Sequence, residues 1–132
     1  MLYGLPPDEA NLNEIRQILT RETQLERLGN GNLREDDLAF LCCAQLFSKG
    51  HLEDVMLIWH AKTSGFDLGT YLDVQLLCGP GLEKTKQFLA EHNSDEAKLA
   101  LNYIQECERS GDFDDWAPSD QTETYRTYFG IA

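Results

Sequence analysis

The sequence predicts an all-α fold, a short stack of helical hairpins with about six or seven helices, on three observations. Apolar residues recur at helical spacing along nearly the whole chain, and no run alternates apolar and polar residues long enough to make a strand. Glycine or proline punctuates these stretches at the places where helices stop and restart. A turn pattern also returns: "KGHLEDV" from Lys49, "GPGLEKT" from Gly79 and "SGDFDDW" from Ser110 lie 30 and then 31 residues apart. In each, Gly50, Pro80 or Gly111 is followed two positions later by Leu52, Leu82 or Phe113, then by Glu53, Glu83 or Asp114. Such a period marks units that cannot bury their own faces and so stack on their neighbours.

In order along the chain, a first helix opens at Asn11, where Glu14 three residues on suggests a capping box. It carries Leu12, Ile15, Ile18, Leu19 and Leu25 inward, and Gly29 in "GNGN" supplies the left-handed residue that ends it. A second helix is expected to open at Asn32 with Glu35 and run through Leu38, Leu41, Cys42 and Leu46 to Gly50. Its expected hairpin partner carries Leu52, Val55, Met56, Ile58 and Trp59. "TYLDVQLLC" is apolar almost all round and is expected as a helix at the centre of the stack. Pro80 then suits a new helix start, with Leu82, Phe88 and Leu89 inward. Ser94 caps the following helix, with Asp95 and Glu96 at its positive end and Leu101, Ile104 and Cys107 on its buried side. Trp116, Tyr125, Tyr128 and Phe129 predict a short docking helix from about Ser119. The chain thus reads as one helical-repeat domain over 1–132: a capping helix at 11–31, stacked hairpins at 32–109, and an acidic loop with the docking helix at 110–132.

The 132 residues include 23 acidic and 11 basic side chains, a net charge of −12, with 42% hydrophobic residues. That hydrophobic content supports a folded core, and the charge repels nucleic acid and anionic membranes while attracting basic protein surfaces. Neither nucleic acid nor a membrane is expected as a partner. The start "MLYGLPPDEANLNEIRQ" has neither the basic opening nor the apolar run of a secretory signal, so a cytoplasmic location is expected. Cys42, Cys43, Cys78 and Cys107 are read as free thiols packed as small hydrophobes.

"AQLFSKGHLEDVMLIWHAKTSGFD", from Ala44 to Asp67, resembles the second half of an ankyrin repeat, with Gly-His opening the turn and Leu-Glu-x-Val following. "GTYLDVQLLCG" from Gly69 is similar to that family's opening helix, with Tyr71 and Asp73 in place of its proline and histidine. A HEAT-like helical array fits the same period. The resemblance implies a binding scaffold without catalytic residues.

Chemistry is sparse. His51, His60 and His92 form no closely spaced set with cysteine, and neighbouring Cys42 and Cys43 project about 100° apart on a helix, so no metal or catalytic residue is assigned. Asp112, Asp114, Asp120 and Glu123 fall at positions 1, 3, 9 and 12 of a calcium-loop pattern. Trp116 occupies a ligand position and Ala117 the glycine position, so a solvated acidic loop is the simpler reading, with no cofactor expected. If equivalent turns lie side by side, Glu53, Asp54, Glu83, Asp112, Asp114 and Asp115 form an acidic edge with Trp116 as a contact residue. First-turn acids that merely complement helix dipoles are the alternative explanation. The expected function is therefore non-enzymatic: protein binding through an acidic face, in size and charge similar to the immunity proteins that bacteria pair with basic toxins. An adaptor or regulatory subunit, and an accessory protein of a metal-dependent enzyme, are the alternatives.

Overall fold

Helix α1 spans Leu12–Arg27 and turns Leu12, Ile15 and Leu19 inward, one apolar face repeating every three or four residues. The computed structural model describes residues 3–35 and 37–131. Asn11 does stand at the start of α1, but it is the last residue of a 3-10 turn and its side chain makes no capping bond. Glu14 instead accepts a hydrogen bond from the Tyr3 hydroxyl. Gly29 ends the segment at φ +75° as expected.

Helix α2 covers Leu38–Lys49, so it starts six residues beyond the expected Asn32, which lies in a 3-10 turn over Gly31–Leu33. The Glu35 amide donates to the buried carboxylate of Glu22 on α1 at 3.2 Å, so it is not available to a cap at Asn32. Ala39 and every residue from Leu41 to Phe47 are buried along α2, with no charged side chain among them, making it the central element.

A 3-10 turn at Leu52–Asp54 leads into α3, Val55–Lys62, which buries Val55, Ile58, Trp59 and Ala61. The six-residue α4, Phe66–Tyr71, is followed by a 3-10 segment at Val74–Cys78. "TYLDVQLLC" is therefore not one α-helix, although its central position is as expected: Leu72, Leu76, Leu77 and Cys78 are each 0% exposed. Helix α5, Leu82–Glu91, buries Leu89 fully and Leu82 and Phe88 in part. Helix α6, Asp95–Arg109, opens with the Ser94 hydroxyl accepting from the Ala97 amide at 3.1 Å. Helix α7, Pro118–Phe129, has proline in its first turn and ends at Gly130 with φ +67°. The described residues thus form an all-α fold of seven α-helices, without strands.

The expected hairpin of α2 with α3 does not form: each packs chiefly on α1, while α5 and α6 pair with one another. The 3-10 segment at Val74–Cys78 bridges α2, α3 and α5. Helix α7 returns to α2, where the Tyr125 ring meets Phe40 at 5.4 Å and Phe47 at 5.7 Å, both edge-on. Helices separated by four others in sequence therefore share one core, a contact that a nearest-neighbour array does not make. No helix is long and apolar enough to cross a membrane among the described residues.

Candidate functional site: an acidic edge around Phe47

The three recurrent turns gather at the C-terminal end of α2. Gly79 packs so tightly on Phe47 that a Cβ there would lie 2.4 Å from the Phe47 carbonyl oxygen. Gly50 lies against the same segment, where a Cβ would come 3.1 Å from the Gly79 carbonyl oxygen. The third turn reaches Phe47 through Trp116, whose ring centroid is 6.2 Å from that of Phe47. It also reaches the Val74–Cys78 segment, because Gln75 Nε2 donates to the Asp112 carbonyl at 2.9 Å. Backbone conformation nevertheless differs among the turns: Gly50 and Gly111 are left-handed at φ +67° and +94°, while proline occupies the equivalent place at Pro80 and Gly81, one residue later, is the left-handed one at φ +107°.

The acidic residues named from the sequence divide into two groups. Glu53 and Glu83 expose 70% and 82% of their side chains, and Asp112, Asp114 and Asp115 are exposed as well. Asp54 is different, and the structure corrects its assignment as a partner contact. Only 3% of its side chain is exposed, and Arg16 on α1 grips both of its oxygens, Nε donating at 2.7 Å and Nη2 at 3.0 Å. Trp116 is half-buried, edge-on to Phe113 at 5.1 Å, and its indole N–H donates to Gln121 Oε1 at 3.1 Å, which fastens the turn to the core.

Basic side chains reach this edge at two places. Arg16 touches Glu53 at 3.3 Å beside its bond to Asp54, and Lys86 sits between Glu83 at 3.1 Å and Glu108 at 2.9 Å. Each cation faces two carboxylates, so negative charge remains in excess at both. Asp114 and Asp115 make no ion pair among the described residues.

The histidines have partners within the chain. His51 meets Glu9 at 2.9 Å, His60 meets Glu96 at 2.5 Å, and His92 Nδ1 lies 3.2 Å from the Ser94 hydroxyl. Burial pushes the Cys42 and Cys78 thiols up to about 12. Asp120 and Glu123 lie within α7 rather than in a loop with Asp112 and Asp114, and no group of three or more metal-ligating side chains converges among the described residues. Lys62 is half-buried, which lowers its ammonium below the ordinary lysine range. It donates to the carbonyls of Gly69 and Leu72 and lies 5.5 Å from the Tyr103 ring centre, tying α4 to its neighbours.

Arg16, Phe47 and Gln75 escaped the reading of the sequence. Arg16 and Asp54 are 38 residues apart, and no local pattern announces a pair so separated. No protein-family model, no curated protein and no solved structure matches the chain.

Proposed function

We propose that this protein is a non-enzymatic recognition module whose acidic edge captures a basic surface of another protein. The observation that supports the reading is the convergence of three turns on Phe47, turns that carry the exposed Glu53, Glu83, Asp112, Asp114 and Asp115. Long-range attraction from such an edge, within a chain of net charge −12, speeds encounter with a cationic partner and selects against anionic ones. Asp54 and Trp116 support the edge from beneath rather than touching the partner. An inhibitor that neutralises a basic toxin, as immunity proteins do, is the form of this role that the size and charge favour.

The test uses the protein encoded beside this chain's gene. Calorimetric titration with that product should give specific 1:1 binding whose affinity falls as salt rises, and, if it is a toxin, loss of its toxicity. No binding at low salt would remove the inhibitor reading, and binding insensitive to salt would remove the acidic edge.

A further inference from the structure

Seven large hydrophobic side chains are prominently exposed among the described residues; Phe66, Tyr71 and Tyr128 meet near the N-terminal end of α2, and Leu28 and Leu33 lie in the chain segment that lines the same region at Gly29, Asn32 and Arg34. Phe66 is 85% exposed and Leu28 70%. The backbone between them forms two adjoining hollows that share Gly31. One, of about 350 Å³, is lined by Arg34, Glu35, Asp37, Phe40, Leu68 and Tyr71. The other, of about 360 Å³, includes Glu26, Phe66 and Asp67. Tyr128 borders the first, since its hydroxyl donates to Asp37 at 3.1 Å and its ring meets Phe40 at 5.2 Å.

Two nearly inaccessible carboxylates on α1 fix this region. Glu26 accepts from the Leu68 amide at 3.1 Å and from Arg34 Nε at 3.3 Å, and it fills the space beside Gly31 and Gly65 so fully that a Cβ at either would come within 2.7 Å of it. Glu22, one turn earlier, holds the Glu35 amide. Burying two acids is costly, and their bonds go to the loops that carry the exposed apolar groups. The loops are therefore held in place before any partner arrives, which lowers the ordering cost of binding.

Charge selects the occupant. Arg34, the one base lining these hollows among the described residues, is already paired with Glu26, which leaves Glu35, Asp37 and Asp67 as an unbalanced acidic rim around apolar ground. A second copy of the chain would bring a further −12 to the same rim. We propose that this region is a docking surface for a segment of a partner protein bearing an apolar or aromatic anchor flanked by lysine or arginine. The inference rests on the protein-binding reading above but uses a different surface, at the other end of α2 from the Phe47 edge.

The test selects short random peptides, displayed on phage, against the full chain, and measures the enriched peptides by fluorescence anisotropy. Variants Phe66→Ser with Tyr71→Ser, and Asp114→Asn with Asp115→Asn, are compared after melting curves confirm that each folds. The expected result is enrichment of peptides with an anchor and basic flanks, affinity at least tenfold weaker on the Phe66/Tyr71 variant, and affinity near that of the parent on the Asp114/Asp115 variant. Peptides that lose affinity only on the Asp114/Asp115 variant would overturn this surface while leaving the acidic-edge reading standing. Failure to enrich any peptide, or enrichment of acidic ones, would also overturn it. Sedimentation of the chain alone should show a monomer; a dimer that Phe66→Ser dissolves would assign the region to self-association instead.

Discussion

Arg16 holds both carboxylate oxygens of Asp54 across 38 residues of sequence, at 2.7 and 3.0 Å, and thereby joins α1 to the turn that opens α3. The same guanidinium touches Glu53, yet the two acids differ in consequence, because Asp54 is buried and Glu53 is in water. Removing one member of a buried pair leaves an uncompensated group and costs about 3–5 kcal/mol, whereas an exposed pair contributes about 0–1 kcal/mol. Arg16 keeps 22% of its side chain exposed, so Asp54→Ala should cost somewhat less than the full range, about 2–3 kcal/mol. Glu53→Gln should change stability by less than about 0.5 kcal/mol. Urea unfolding of both variants checks this, and equal effects would contradict the division between them.

Gly79 provides a steric test of how the turns meet. Its φ of −54° and ψ of −38° are right-handed, a conformation disfavoured for a non-glycine residue before proline, so a side chain there meets strain from Pro80 as well as the clash with Phe47. Gly79→Ala should therefore destabilise by about 1–3 kcal/mol, as overpacking does in a close-fitted core. Gly81→Ala, which meets nothing within 4 Å but sits at φ +107°, probes strain without a clash. A Gly79→Ala protein as stable as the parent would mean that the turns do not abut at Phe47.

The buried acid Glu22 makes a prediction about pH. Desolvation, countered in part by the Glu35 amide and by Arg21 and Arg34, raises its carboxyl above the ordinary 4.5. The folded state therefore prefers the protonated form. That preference contributes fully below the unfolded value and is lost as pH rises through the folded one. Glu22→Gln keeps an acceptor for the Glu35 amide without the charge, so its stability relative to the parent should improve as pH rises above the ordinary 4.5 and level off once the folded carboxyl has ionised. Denaturation curves across that window check the trend, and a constant difference would contradict it.

Cysteine accessibility tests the central position of α2. Cys42 and Cys43 on α2 and Cys78 beside it are buried, while Cys107 on α6 is half-exposed. A thiol held at about 12 rather than the ordinary 9.0 carries about a thousandth of the thiolate, and burial also denies access to reagent. Iodoacetamide should label Cys107 first in the native protein and the other three only after unfolding, as mass spectrometry would show. Early labelling of Cys43 would contradict the packing of α7 on α2.

Helix type and several boundaries were legible because they depend on nearby residues. Ser94 caps its own helix, Gly29 and Gly50 take the left-handed conformation at helix ends, and the aromatics of α7 announce a docking element. Errors arose where distant groups decide. Asn32 and Glu35 make a plausible helix start until buried Glu22 takes the Glu35 amide. "TYLDVQLLC" is apolar enough to demand burial, but composition does not distinguish an α-helix from the shorter helix and 3-10 segment that occupy it. Of the acidic edge, the exposed positions of Glu53, Glu83, Asp112, Asp114 and Asp115 followed from the recurrent turns, whereas the withdrawal of Asp54 depended on Arg16.

The central claim, capture of a basic protein by the acidic edge, is tested most directly by stopped-flow association with the product of the adjacent gene, comparing the parent with Asp114→Asn/Asp115→Asn over a range of salt. Both side chains are exposed, so the double variant should fold as the parent does. Its association rate should be lower by roughly two- to tenfold at low salt, with a shallower salt dependence and a nearly unchanged dissociation rate. Identical association rates and identical salt slopes for the two proteins would contradict the account.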